Sequence, residues 1–400
     1  MSLERIVDLD ARFGMQTYSR ARVAFVKGEG AYLWDTEGKK YVDFVAGLAV
    51  NGLGHCHPNV VKAIKSQAER LLHCSNLYYI APQAELAALL AEISPCKRAF
   101  FCSSGAEANE AAIKLARKYF RKVMKQDRAE IVTFSKAFHG RTMGALAATP
   151  QKRFQEDFQP LPEGFKYLEF NDAEALLENV SEKTAAVMVE PIQGEGGIHI
   201  ASDEFMAAIE TARRKTGALV IFDEVQCGLG RTGKLFAFEH YGIRPDIITL
   251  AKSLGGGVPI GAMLAQDEVA SAFAPGDHGS TFGGNPLCTS AALAAVRTIL
   301  DERLTENAAT IGQYLLSRLH EISAGLPAGV VREIRGRGLM VGIEISFEGK
   351  GVVSRCLERG LIVNCTDGNV IRLLPPLIIG KEEVDQAVRI LGDVLSLGKP

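Results

Sequence analysis

From about Pro58 onward, short apolar runs alternate with longer segments whose apolar positions recur every three or four residues. The runs are "RAFFC", "EIVTF", "TAAVMVE", "ALVIFDE", "DIITLA" and "PIGAML". Each has the length and composition of a strand buried on both faces. Between them lie helical patterns. "RAFFC" leads into "SGAEANEAAIKLARKYF", and "EIVTF" precedes "RTMGALAAT". "TAAVMVE" precedes "SDEFMAAIETARRKTG", where Ser202 is the expected cap and Gly217 the stop. Alternation of this kind predicts an α/β fold with a mostly parallel sheet flanked by helices on both faces.

The ends of the chain have another texture. "ARVAFVKGEGAYLWDTEGKKYVDF" breaks its apolar runs at K-G-E-G and D-T-E-G-K, the pattern of hairpin turns in a small meander. The last hundred residues mix helices with the strands "LMVGIEI" and "VIRLL". The expected organisation is therefore a large domain over 58–298. Residues 1–57 and 299–400 would form a smaller α+β domain.

Composition narrows the partners. The 400 residues are 47% hydrophobic and 23% charged, and 45 basic against 47 acidic residues leave a net charge of −2. No basic stripe marks a nucleic-acid surface and no apolar run approaches a membrane span, so small molecules are the expected partners. The opening "MSLERIVDLD" carries acids and no long apolar core, unlike a signal peptide. The eight cysteines form no C-x-x-C pair, which suits reduced thiols in a cytoplasmic protein.

Four constellations bear chemistry. In "ALVIFDEVQCGLGRTG" a strand ends on Asp223 and Glu224, and ligands of a parallel α/β sheet bind beyond such strand ends. An acid there can ligate a metal, cap a turn or pair with a cationic ring nitrogen. In "TLAKSLGGG", Lys252 follows a strand and precedes three glycines. It is either an ordinary surface lysine or, if partly buried, a nucleophile with a lowered pKa. "FCSSGAEANEAAIKLA" places Ser103, Ser104 and Gly105 at a helix start, which serves either a plain serine cap or a phosphate cradle. In "AFHGR" and "HGSTFGGNP", Phe138 is either a core aromatic or a stacking platform, Arg141 can fork onto a carboxylate, and Ser280 and Thr281 offer hydroxyls. His139 and His278 are read as loop histidines. A phosphate cradle, a stacking ring, an acid for a pyridine nitrogen and a nucleophilic lysine together specify pyridoxal phosphate.

The same residues resemble the class III aminotransferases of fold type I along nearly the whole chain. "VEPIQGEGG", "FDEVQCGLGRTG", "AKSLGGGVPIGAM" and "HGSTFGGNPL" carry the similarity. "GEGAYLWDTEGKKYVDFVAGLAVNGLGHCHP", "HCSNLYYI" and "IRGRGLMVGIEI" bring it nearest to the bacterial acetylornithine aminotransferases. The resemblance implies that Lys252 binds the cofactor covalently and shuttles a proton. It implies that Asp223 holds the pyridine nitrogen, with Glu224, Val225 and Gln226 beside the cofactor, and that Phe138 stacks on the ring. Gly105 and Ala106 would give amides to the phosphate, joined by Thr281 across a homodimer with shared active sites. Many relatives carry threonine at the position of Ala106, whose backbone amide remains. Arg141 would bind the substrate α-carboxylate with Ser280 nearby. Glu195 would act as a switch acid on Arg372, and Tyr18 would line the acyl pocket or simply pack at the N-terminus. Amino transfer from N-acetylornithine to 2-oxoglutarate is the implied reaction. Ornithine, succinylornithine and 4-aminobutyrate are the alternative donors.

Overall fold

Thr184–Val189 and Leu219–Asp223 are buried at every residue. Strands apolar on both faces are stable only inside a sheet covered from both sides. The computed structural model, which describes residues 1–398, builds that sheet from seven strands. Their spatial order is Arg98–Cys102, Gly261–Ala265, Ile247–Leu250, Leu219–Asp223, Thr184–Val189, Glu130–Phe134 and Phe165–Leu168. Five strands run parallel from Ile247–Leu250 to Phe165–Leu168. Gly261–Ala265 is antiparallel to both of its neighbours. Only residues 251–260 separate it from the preceding strand, too few for the crossover a parallel pair needs.

The helices begin and end where their chemistry dictates. Ser202 caps Asp203–Thr216 by accepting from the Phe205 N–H, and Gly217 stops it in the left-handed conformation. The pattern in "RTMGALAAT" yields only the short helix Met143–Ala147. The edge strand Phe165–Leu168 is not evident in the sequence pattern, because its few apolar residues are only partly buried.

Two further four-stranded sheets lie outside this framework. Phe25–Glu29, Tyr32–Asp35 and Lys40–Asp43 form an antiparallel meander, joined in parallel by Leu361–Ile362. Val331–Arg337, Met340–Ile345, Val370–Leu373 and Asn364–Thr366 form the other. Strands from the beginning and the end of the chain thus share one sheet. Among the described residues no helix is long and apolar enough to cross a membrane.

Candidate active site

Three strand ends converge on one cavity of about 520 Å³. Arg98–Cys102 delivers the start of helix Gly105–Lys118, Leu219–Asp223 delivers its terminal acid, and Ile247–Leu250 delivers Lys252. At the helix start, the Ser104 hydroxyl accepts from the Glu107 N–H at 3.2 Å, while the Glu107 carboxylate accepts from the Ser103 N–H at 2.9 Å. The Gly105 and Ala106 N–H groups, in the first helical turn, have no partner within the helix. A Cβ on Gly105 would stand 2.8 Å from Val225, and one on Gly140 2.7 Å from Ala106. Glycine at both positions is what lets the loops close around these amides.

Asp223 is buried and fully engaged on its protein side. Its Oδ2 accepts from Asn109 Nδ2 at 2.8 Å and from His139 Nδ1 at 2.7 Å, and its Oδ1 accepts from the Val225 N–H at 3.0 Å. Asn109 also donates to the His139 carbonyl, and the His139 N–H donates to Thr149. Glu190 lies behind this group and accepts from the Phe138 and Gly194 N–H groups. Burial raises its carboxyl, which His139 partly counters. Lys252 sits in the left-handed region, φ 47°, at the head of a single 3₁₀ turn. Burial pulls its amine below the usual lysine range, with the Glu195 charge opposing.

Two arginines stand in unlike states. Arg372, wholly buried in Val370–Leu373, donates through Nη1 to Glu195 Oε1 at 2.6 Å, to the Gly194 carbonyl at 2.9 Å and to Gln226 Oε1 at 3.1 Å. Burial would raise the Glu195 carboxyl, but Arg372, together with Lys252 and Gln226, more than offsets that and holds it below the usual range. Thr366 donates to the Glu195 carbonyl and Arg335 to that of Gly197, so the loop backbone is tied on both sides. Arg141 lines the cavity mouth, exposed, with no carboxylate partner among the described residues.

The family model for aminotransferase class-III matches residues 14–395. The chain belongs to the class-III aminotransferases. It is 51% identical over 396 residues to the acetylornithine aminotransferase of Methanocaldococcus jannaschii, covering 99% of each protein. It is also similar to the ornithine aminotransferase from Toxoplasma gondii crystallized with oxidized glutathione, which holds PLP at partial occupancy in its active site. That match has a TM-score of 0.95 and 35% identity over 99% of this chain and 95% of the other. The acetylornithine aminotransferase from Elizabethkingia anophelis matches with a TM-score of 0.88 and 33% identity over 99% of each.

Class-III aminotransferases depend on pyridoxal phosphate, and the cavity suits that cofactor on its own chemistry. It joins free helix-start amides for a phosphate, a carboxylate acceptor for a cationic ring nitrogen, a half-buried lysine amine and an aromatic ring. Gly105, Ala106, Phe138, Arg141, Asp223, Val225, Gln226 and Lys252 all line it. Glu195 and Arg372 reach it through Gln226.

Other expected residues stand apart. The Glu224 side chain does not line the cavity and accepts from the Ala237 and Phe238 N–H groups at 2.9 and 2.8 Å. Ser280 accepts from the Gly283 N–H, and Thr281 is exposed. Tyr18 is exposed on the N-terminal segment beneath the Arg20 guanidinium. None of these four lines this chain's own cavity. Conversely, the sequence pattern did not single out Asn109 or Glu190, and it assigned His139 to a loop. His139 is no ordinary loop histidine, because its ring is buried against Asp223. Asn109 did leave a signal, as an amide on the apolar face shared by Ala108, Ala112 and Ile113.

Proposed function

We propose that the protein transfers the terminal amino group of N2-acetyl-L-ornithine to 2-oxoglutarate, giving N-acetyl-L-glutamate 5-semialdehyde and L-glutamate. The reverse direction would serve arginine biosynthesis, in a cytoplasmic homodimer. What carries the substrate assignment is half identity, along the whole chain, to acetylornithine aminotransferases. The unlike arginines account for one site taking both substrates. Because the reacting amine is distal, the donor's α-carboxylate must be held away from the chemistry, and Arg141 at the mouth suits it. The second substrate has two carboxylates. Glu195 turning aside would free Arg372 for the additional one, and Gln226 would keep the guanidinium in place meanwhile.

Bound pyridoxal phosphate supplies an electron sink for the charge left on the substrate carbon when its proton departs. Lys252 Nζ would take that proton, helped by the burial that lowers its pKa. Asp223 would keep the ring nitrogen cationic, Phe138 would cover the ring, and Val225 and Gln226 would line its other edges. Gly105 and Ala106 would hold the phosphate with the partner subunit's Thr281, while Ser280 would stand near the substrate carboxylate.

A dimer is supported by the apolar surface beside Thr281. Leu77 is 85% exposed and Phe282 66%, with Tyr78 and Tyr79 alongside. Asn76 donates to the Ser280 and Gly283 carbonyls, which joins the two loops into one surface. Such a patch on a lone chain calls for a cover.

Single-turnover absorbance of the yellow holoenzyme tests the proposal. N-acetylornithine should bleach the band faster than ornithine, succinylornithine or 4-aminobutyrate. A faster response to another amine would move the assignment to that donor.

A further inference from the structure

Arg141 is pinned at its backbone. Glu110 Oε1 accepts from the Thr142 hydroxyl at 2.6 Å and from the Gly144 and Ala145 N–H groups at 2.8 and 3.0 Å. On the other side, Gly140 takes a φ of 140°. Nothing in that scaffold orients the side chain, which has several rotatable bonds and faces water. An unrestrained arginine would lose much of its rotamer freedom on gripping a ligand.

The restraint comes from Phe154. The Arg141 guanidinium carbon lies 3.9 Å from the Phe154 ring centroid and 5.7 Å from that of Phe138. The two rings meet edge to face at 6.0 Å. Phe154 stands on the short helix Lys152–Gln155 and does not line the cavity. That helix is bonded to the stretches on both sides of Arg141. Gln155 donates to the Leu146 and Thr149 carbonyls at 3.0 and 2.8 Å, and Gln151 donates to the Ala137 carbonyl at 2.9 Å. The platform and the arginine are therefore fixed to one frame.

We infer that Phe154 is a positioning residue that preorganises Arg141 as the carboxylate clamp. The inference rests on the reading of Arg141 as the clamp. An aromatic ring takes the face of a guanidinium, whereas a carboxylate takes the N–H edge in its plane, so stacking and clamping are compatible. Arg153 also approaches the Phe154 ring, at 4.6 Å, but it bonds Gln151 and does not line the cavity. It is not the clamp.

The test compares N-acetylornithine with N-acetylputrescine, the same amine with hydrogen in place of the α-carboxylate, in steady-state turnover of holoenzyme at saturating 2-oxoglutarate. In Phe154→Leu, the KM for N-acetylornithine should rise about three- to tenfold, the range of a cation–π contact, with kcat within about twofold. The kcat/KM for N-acetylputrescine should not change. Phe154→Trp should restore the carboxylate preference, and Arg153→Ala should leave it as it was. Arg141→Ala should abolish the preference altogether.

If Arg141→Ala abolishes the preference but Phe154→Leu keeps it, the positioning role is overturned. Equal losses for both amines in Phe154→Leu would likewise overturn it, since a merely structural role predicts that. If Arg141→Ala itself keeps the preference, the fault lies with the reading of Arg141.

Discussion

Asp223 lies where water scarcely reaches, and a carboxylate is accommodated there only when donors surround it. Asn109, His139 and the Val225 N–H supply those donors. A His139→Ala variant should hold pyridoxal phosphate about tenfold more weakly, the scale of one buried charge-assisted hydrogen bond. Fluorescence titration of the apoprotein measures it. Its sequence neighbour Glu224 is buried too. Burial pushes that carboxyl from 4.5 up to about 7, against the two N–H groups it accepts. The folded chain then keeps a proton that the unfolded chain releases. The resulting stability is full below about pH 4.5 and fades as pH rises through about 7. Measured against Glu224→Gln, unfolding free energy in urea should fall by on the order of 2–3 kcal/mol between about pH 5 and about pH 8. The roles suggested for Asp223 and Lys252 are legible because each stands at or just after the end of a strand. That of His139 is not, since "AFHGR" reads the same whether its ring meets solvent or Asp223.

At the scale of elements, the least ordinary piece is the turn at residues 46–49. Ala46, Gly47, Leu48 and Ala49 all have positive φ, and each non-glycine residue there costs about 1–2 kcal/mol. Asp43 Oδ1 holds the entry by accepting from the Val45 and Ala46 N–H groups, and the Ser253 hydroxyl holds the exit by donating to the Ala49 carbonyl at 2.7 Å. The turn thereby brings Val50 to the cavity and ties the N-terminal segment to the residue after Lys252. Ser253→Ala should lower the unfolding free energy by about 1–2 kcal/mol, seen as a lower melting temperature. Nothing in "FVAGLAVNG" announces a left-handed turn, because three of its four residues are not glycine. The apolar strands were legible, since burial on both faces leaves a contiguous run. The reversal of Gly261–Ala265 follows from connection length, which the sequence contains but a strand pattern does not display.

For the whole molecule, the exposed surface around Leu77, Tyr78, Tyr79 and Phe282 decides whether one chain is sufficient. Tyr79→Glu should shift the protein toward monomer in analytical ultracentrifugation. On the proposed sharing of the site, in which the partner subunit's Thr281 holds the phosphate, it should also weaken retention of pyridoxal phosphate by roughly tenfold for a lost charge-assisted hydrogen bond. A variant that stays dimeric and keeps its cofactor would place the interface elsewhere. The sequence by itself determined the mostly parallel α/β framework, the strand ends and the serine-capped helix start after Arg98–Cys102, because all of these follow from local runs, caps and turns. Only the tertiary structure decided which of two adjacent acids faces the cavity. Side chains alternate faces along a strand, so Asp223 and Glu224 point apart, and the layers packed on each face determine which side is open. It likewise added Gln226 to the pairing of Arg372 with Glu195 that the family resemblance implied, since a buried charge finds its partners through folding across more than a hundred residues of chain.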